Sequence, residues 1–117
     1  MTRPLGSENR NTVPATHQPR IRDLAWAAGF LEGEGSFRLN GNSQRVSAVQ
    51  VNLEPLFELV QLFGGIVQEN RLKDVRDRQP IGEWRVSGAR ARGVMFTLYP
   101  FLSAKRQRQI KKALLLP

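Results

Sequence analysis

The sequence predicts an α+β domain in which two β-hairpins form one antiparallel sheet and helices cover one of its faces. Three observations carry this. Leu56, Leu59, Val60 and Phe63 fall at i, i+3, i+4 and i+7, an apolar stripe of helical period. Asn40-Gly41-Asn42 is a hairpin turn signal between two stretches of strand composition. The order of segments is helix, two strands, helix, two strands, helix, helix, which builds one sheet with its helices on a single side. The other side is left free for a partner.

Residues 1–20 hold Pro4, Pro14 and Pro19 among Asn, Thr, Ser and Gly, the composition of a flexible basic tail. A mitochondrial presequence is the weaker reading, because these prolines oppose a helix. Residues 21–117 then form a single domain. Asp23 suits the N-cap of a helix that runs to about Glu34. Ser36 to Asn40 reads as a first strand and Gln44 to Asn52 as a second. In that second strand Val49 and Val51 share one face, and Val46, Ala48 and Gln50 the other; the alternation leaves open which is buried. Pro55 suits the first turn of a second helix, which Gly64-Gly65 ends. Ile66 to Leu72 reads as a third strand, followed by a charged loop over 73–80 and a fourth strand, Gly82 to Val86, that carries Trp84. Trp84 and Phe37 read as core. Ser87 suits the cap of a third helix from Gly88 to Tyr99, with Ala91, Val94, Met95 and Leu98 inward, and Pro100 breaks it. Lys105 to Leu116 is helical by propensity.

A chain of 117 residues has room for one core and not two. It has no cysteine, which excludes disulfides and thiolate-bound zinc. The one histidine, His17, lies in the tail, which argues against a histidine metal cluster or a histidine-based triad. Any metal is therefore held by oxygen, the chemistry of magnesium, calcium or manganese. Eighteen Lys and Arg against ten Asp and Glu leave a net charge of +8, which favours a polyanionic partner. Fourteen of the eighteen are Arg, whose fork suits phosphates and guanine edges, although a GC-rich genome gives the same bias. No apolar run approaches the roughly 20 residues that span a bilayer, and the N-terminus lacks the apolar core of a secretory signal. The expectation is a cytoplasmic protein of a bacterial or phage host, with an organelle as the alternative, and no membrane partner.

The stretch Trp26 to Phe37 concentrates the candidate chemistry. Ala25, Gly29 and Gly33 line one side of the first helix at steps of about 6 Å, and small residues at that spacing let two backbones approach closely. The helix ends in two carboxylates, Glu32 and Glu34, with Gly35 expected to turn the chain sharply into a strand. One reading is a helix that meets a copy of itself and delivers one acid per copy to a metal. The other is an ordinary buried helix with glycines at its C-cap. Lys105 and Arg106 open the last helix, where positive charge opposes the macrodipole unless a phosphate sits there.

Ala27-Ala-Gly-Phe-Leu-Glu-Gly-Glu-Gly35 resembles the nine-residue signature of the LAGLIDADG homing endonucleases. It matches in Ala28-Gly29, in both acids and in Gly35, and departs at Ala27, where the family usually has Leu. Val49-Gln50-Val51, Phe63-Gly64-Gly65, Trp84-Arg-Val-Ser-Gly88 and Pro100-Phe-Leu-Ser-Ala-Lys-Arg-Gln107 also look like the single-motif members, so the resemblance spans Leu24 to Ile110. It implies the αββαββα homing-endonuclease-like fold, with a saddle-shaped sheet in the major groove of double-stranded DNA. It also implies a homodimer whose motif helices meet along a two-fold axis, with Ala25, Ala28, Gly29, Glu32 and Gly33 at the interface.

By the same resemblance Glu34 ligates the metal with the Gly33 carbonyl nearby, and Glu32 serves helix packing and capping. The expected ion is Mg2+, with Mn2+ or Ca2+ able to occupy the site. Lys105 falls where the family places a basic residue beside the reacting phosphate. Gln50, or failing it Asn52, fits the polar position that orders solvent. DNA reading falls to the hairpins, through Arg38, Asn40, Asn42, Gln44 and Arg45 in the first and Arg71, Lys73, Arg76, Arg78 and Arg85 in the second. The implied function is a site-specific endonuclease that makes a staggered cut in both strands of a long near-palindromic site. The alternative is a cleavage-deficient binding module of the same fold, an RNA maturase or a DNA-binding regulator.

Overall fold

Helix α1 (Ile21–Glu34) begins ahead of the expected cap, and Asp23 sits at its third position. From there the Asp23 carboxylate accepts the Arg20 N–H at 2.9 Å. An acid at that position satisfies an otherwise orphaned amide and complements the positive end of the helix dipole. The residue marks the helix start, one turn further in than a cap. The computed structural model describes residues 14–16, 18–71 and 81–116. His17, most of the N-terminal tail, and Lys73, Arg76 and Arg78 of the charged loop lie outside those residues. The end of the tail is held to the domain, with the Thr16 N–H donating to the Gln61 carbonyl at 3.0 Å.

Strand β1 (Gly35–Asn40) follows α1 directly, and the chain turns at Gly41 into β2 (Ser43–Gln50). Gly41 has φ +65°, a left-handed conformation that glycine adopts without steric cost. Next come α2 (Glu54–Phe63), β3 (Ile66–Arg71), β4 (Ile81–Ser87) and α3 (Gly88–Leu98). A 3-10 turn over Tyr99–Phe101 leads to α4 (Ala104–Ala113). The second strand stops short of its expected end because Asn52 does another job: its Oδ1 accepts the Glu54 N–H at 3.2 Å and starts α2. The cap of α4 is Ser103, whose Oγ accepts the Arg106 N–H at 3.3 Å.

The sheet order is β1-β2-β4-β3, with every neighbouring pair antiparallel. Its register sets Phe37 opposite Val46, Val46 opposite Val86, Ala48 opposite Trp84, and Trp84 opposite Val67. Successive side chains of a strand point to opposite faces, so these residues share one face, and the helices pack on it. Val46 and Ala48 are thus the buried set of β2, whereas Val49 is exposed. Ala27, Ala28 and Leu31 of α1, Leu56, Leu59 and Leu62 of α2, and Ala91, Val94, Met95 and Leu98 of α3 complete the core with Ile110 and Ala113 of α4. In α2, Leu62 is buried, and Val60 and Phe63 pack at the core's edge. Trp84 is fully buried, and its Nε1–H donates to the Gly64 carbonyl at 2.9 Å. Leaving that N–H unpaired would cost about 1–3 kcal/mol. Among the described residues no helix is long and apolar enough to cross a membrane.

Candidate active site and nucleic-acid interface

Glu34 is the last residue of α1 and Gly35 the first of β1. Gly35 has φ −88° and ψ 163°, ordinary extended backbone, so no special conformation requires a glycine there. Space does: a Cβ at Gly35 would lie 2.7 Å from the Leu31 carbonyl oxygen. The expected sharp turn is in fact a tight pass of the chain against its own helix. Glu34 is exposed, and among the described residues it has no hydrogen-bond or ion-pair partner. The Gly33 carbonyl belongs to the last helical turn, whose carbonyls lack an N–H four residues on within the helix.

Glu32 faces elsewhere, because residues two apart are separated by about 200° around a helix. Its Oε1 accepts the Ser103 N–H at 2.9 Å and its Oε2 the Ser103 hydroxyl at 2.6 Å. These two bonds hold its carboxyl below the usual glutamate range, with Arg106 and Lys105 adding in the same direction. In return, Arg106 donates from Nε and Nη2 to the Glu32 carbonyl at 3.0 and 2.9 Å. Its guanidinium lies 5.8 Å from the centroid of the Phe37 ring. Glu32 is therefore engaged within its own chain, at the cap residue of α4.

Lys105 is exposed in the first turn of α4, which contains no acid. It makes no ion pair with Glu34. Gln50, half-buried, ends β2 two residues past Ala48, the partner of Gly35. That is about 7 Å along the strand and at the same end of the sheet as Glu34. With Asn52 occupied at the start of α2, Gln50 is the freer of the two polar candidates. Glu34 and Gln50 thus lie toward one end of the sheet, and Lys105 stands two residues after the Ser103 that bonds Glu32.

Of the expected interface residues, Ala25, Gly29 and Gly33 are exposed along α1, and a Cβ at Gly29 or Gly33 would meet nothing within 4 Å. Ala28 departs from that stripe. It is 2% exposed and packs into the chain's own core, since its position turns it toward the sheet. Trp26 and Phe30 stack beside the stripe with centroids 5.6 Å apart.

The second sheet face carries the cations. Arg38 stands opposite Arg45, and Arg85 stands opposite Ser47, on the same face. Like charges directly opposite destabilise a strand pair, so this arrangement favours an anion above it. The Nε of Arg45 is buried without a partner, and Arg85 pairs with Glu83 at 3.5 Å. Asn40 and Asn42 are exposed at the hairpin tip, and Arg71 ends β3. Gln44 does not join them. The register turns it toward the helices, where it is 8% exposed, donates to the Ala113 carbonyl at 3.2 Å and accepts from Arg92 Nη1 at 3.0 Å. Burial on the helix side, with both ends of its amide bonded, keeps Gln44 off the open face.

Among the described residues no group of three or more His, Cys, Asp or Glu is placed to hold a metal. One chain offers the Glu34 carboxylate and the Gly33 carbonyl. These are hard oxygen donors that fit magnesium, manganese or calcium as part of a site whose remaining ligands come from elsewhere. Ser103 and Arg106 were not among the expected site residues. Ser103 ahead of the helical run carries the signal of an N-cap; the partner of Arg106 is 74 residues away in sequence and leaves no local trace.

No protein-family model matches the chain, and no curated protein matches it. Among solved structures it is similar to the homing endonuclease I-CvuI. Against I-CvuI bound to the I-CreI target in 2 mM magnesium, a complex with the DNA not cleaved, the TM-score is 0.61 at 20% identity, over 82% of this chain and 68% of that one. Against I-CvuI bound to its own target in 2 mM calcium, it is 0.57 at 19% identity, over 80% and 71%. The chain has the homing-endonuclease fold. At this identity the likeness carries the fold, and the site stands on its own geometry.

Proposed function

We propose that the chain is a divalent-metal-dependent DNA endonuclease that acts as a homodimer and makes a staggered cut in both strands of a long, near-palindromic site. The observation that carries this is the end of α1, where the unpaired Glu34 carboxylate lies on the same helix as an exposed small-residue stripe. Glycine inside a helix costs about 1 kcal/mol relative to alanine, and among the described residues nothing lies within 4 Å of a Cβ added at Gly29 or Gly33. A second copy packed on the stripe gives that cost a purpose, since small residues allow close helix approach. The same contact brings two Glu34 side chains together.

Glu34 and the Gly33 carbonyl would hold a divalent ion together with DNA phosphates. The chemistry it would supply when bound is charge neutralisation at the phosphate and a more nucleophilic water. Lys105, in a first helical turn without acids, stabilises charge that develops on the phosphate, and Gln50 orders the attacking water. Arg38, Arg45 and Arg85 meet the duplex from the open sheet face, as phosphate or guanine contacts. I-CvuI of the same fold is found on DNA with magnesium or calcium, which supports duplex DNA as the partner.

The test is incubation with a randomised duplex library and magnesium, beside a Glu34→Gln control. The parent is expected to cut a discrete set of sequences that the variant binds and leaves intact. If neither cuts and both prefer RNA to duplex DNA, the nuclease reading fails in favour of a binding module.

A further inference from the structure

We propose that Arg106 is a positioning residue: with Glu32 and Ser103 it forms a reciprocal clamp that fixes where Lys105 stands relative to Glu34. This rests on the nuclease reading of the site. At this junction the C-terminus of α1 meets the N-terminus of α4, and each helix end is answered by a side chain from the other. The Glu32 carboxylate accepts the N–H and hydroxyl of Ser103, at the positive end of α4. The Arg106 fork donates twice to the Glu32 carbonyl, at the negative end of α1. Both placements complement the helix dipoles.

Each of the three side-chain nitrogens of Arg106 is already bonded within the chain. Its Nε and Nη2 hold the Glu32 carbonyl, its Nη1 donates to Gln109 Oε1 at 2.9 Å, and its plane lies over Phe37. The two groups assigned to chemistry sit on either side of this knot. Lys105 immediately precedes Arg106, and Glu34 lies two residues beyond Glu32. Both are exposed and have no protein partner of their own among the described residues, so the clamp is what sets their separation. A misplacement of about 1 Å at a reacting centre can cost on the order of 100-fold in rate. Lysine cannot reproduce the two-pronged contact of the guanidinium.

The test compares Arg106→Met and Arg106→Lys with the parent on a duplex the parent cuts. It reads the single-turnover cleavage rate, the DNA Kd and the salt dependence of binding. The expected result is a rate about 10- to 100-fold lower in both variants, with Kd and salt slope unchanged. A weaker Kd with the salt slope reduced by about 0.9 and the rate unchanged makes Arg106 a phosphate contact and overturns the proposal. An unchanged rate and Kd overturns it as well. Amide hydrogen exchange separates the clamp from global damage: the end of α1 and the first turn of α4 should exchange faster together in Arg106→Met, with α2 and α3 as in the parent. Parent-like exchange at both ends overturns the clamp. A parent that cuts no duplex removes the nuclease reading and the positioning role with it, while faster paired exchange then leaves the structural clamp standing.

Discussion

Glu32 and Glu34 stand two positions apart and do opposite things. Helical geometry separates them by about 200°, which sends one carboxylate into the cap of α4 and the other into solvent. Exchanging Glu34 for Gln removes a charge that no described protein group balances. Cleavage should fall by at least about 100-fold, the scale of losing a preorganised charge-stabilising group. Stability should stay within about 0.5 kcal/mol, checked by turnover and melting on one preparation. Glu32 behaves differently. Its folded-state pKa is depressed by the Ser103 bonds, so its contribution to stability is present above the ordinary glutamate value of about 4.3 and is lost as pH falls through the folded value. Melting curves from neutral pH into acid should therefore drop less steeply for Glu32→Gln than for the parent. The two acids stood out by their spacing beside small residues, and a supporting part for Glu32 was implied only by the resemblance. Its actual partner, 71 residues away, was not legible. Gln44 was misread for a related reason: a polar residue beside a hairpin turn looks exposed, and only the Phe37–Val46 register turns it inward.

At the scale of elements, α1 carries both the stripe and the acid, and the two can be tested apart. A Cβ added at Gly29 meets nothing within 4 Å among the described residues, so Gly29→Leu should leave the fold intact while abolishing the proposed dimer. Sedimentation of parent and variant, with circular dichroism as the fold control, checks this; a dimer that persists means the stripe is not the interface. The open sheet face makes a second prediction. Replacing Arg38 or Arg45 by Ala should weaken DNA binding and lower the slope of log K against log salt by about 0.9 for each phosphate no longer neutralised. Affinities measured at three or more salt concentrations decide it. The element order was legible because periodicity and turn residues are local signals. Strand order was not, since the β2–β4 pairing joins segments separated by a helix and a further strand. That pairing decides which arginines share a face.

For the whole molecule, the surplus of positive charge and the helices confined to one sheet face agree with each other. One side of the sheet builds the core, and the other presents Arg38, Arg45 and Arg85. The absence of cysteine and the position of the lone histidine direct any metal to oxygen ligands, and the described residues of one chain supply only part of such a site. On the proposed reading, a second copy on the α1 stripe would complete it and make the target two-fold symmetric. Sequencing both ends of every product cut from a randomised duplex library in magnesium tests this most directly. Near-palindromic half-sites with offset cuts on the two strands are expected, and none of these ends with Glu34→Gln. Asymmetric sites, or cuts that survive Glu34→Gln, would contradict it.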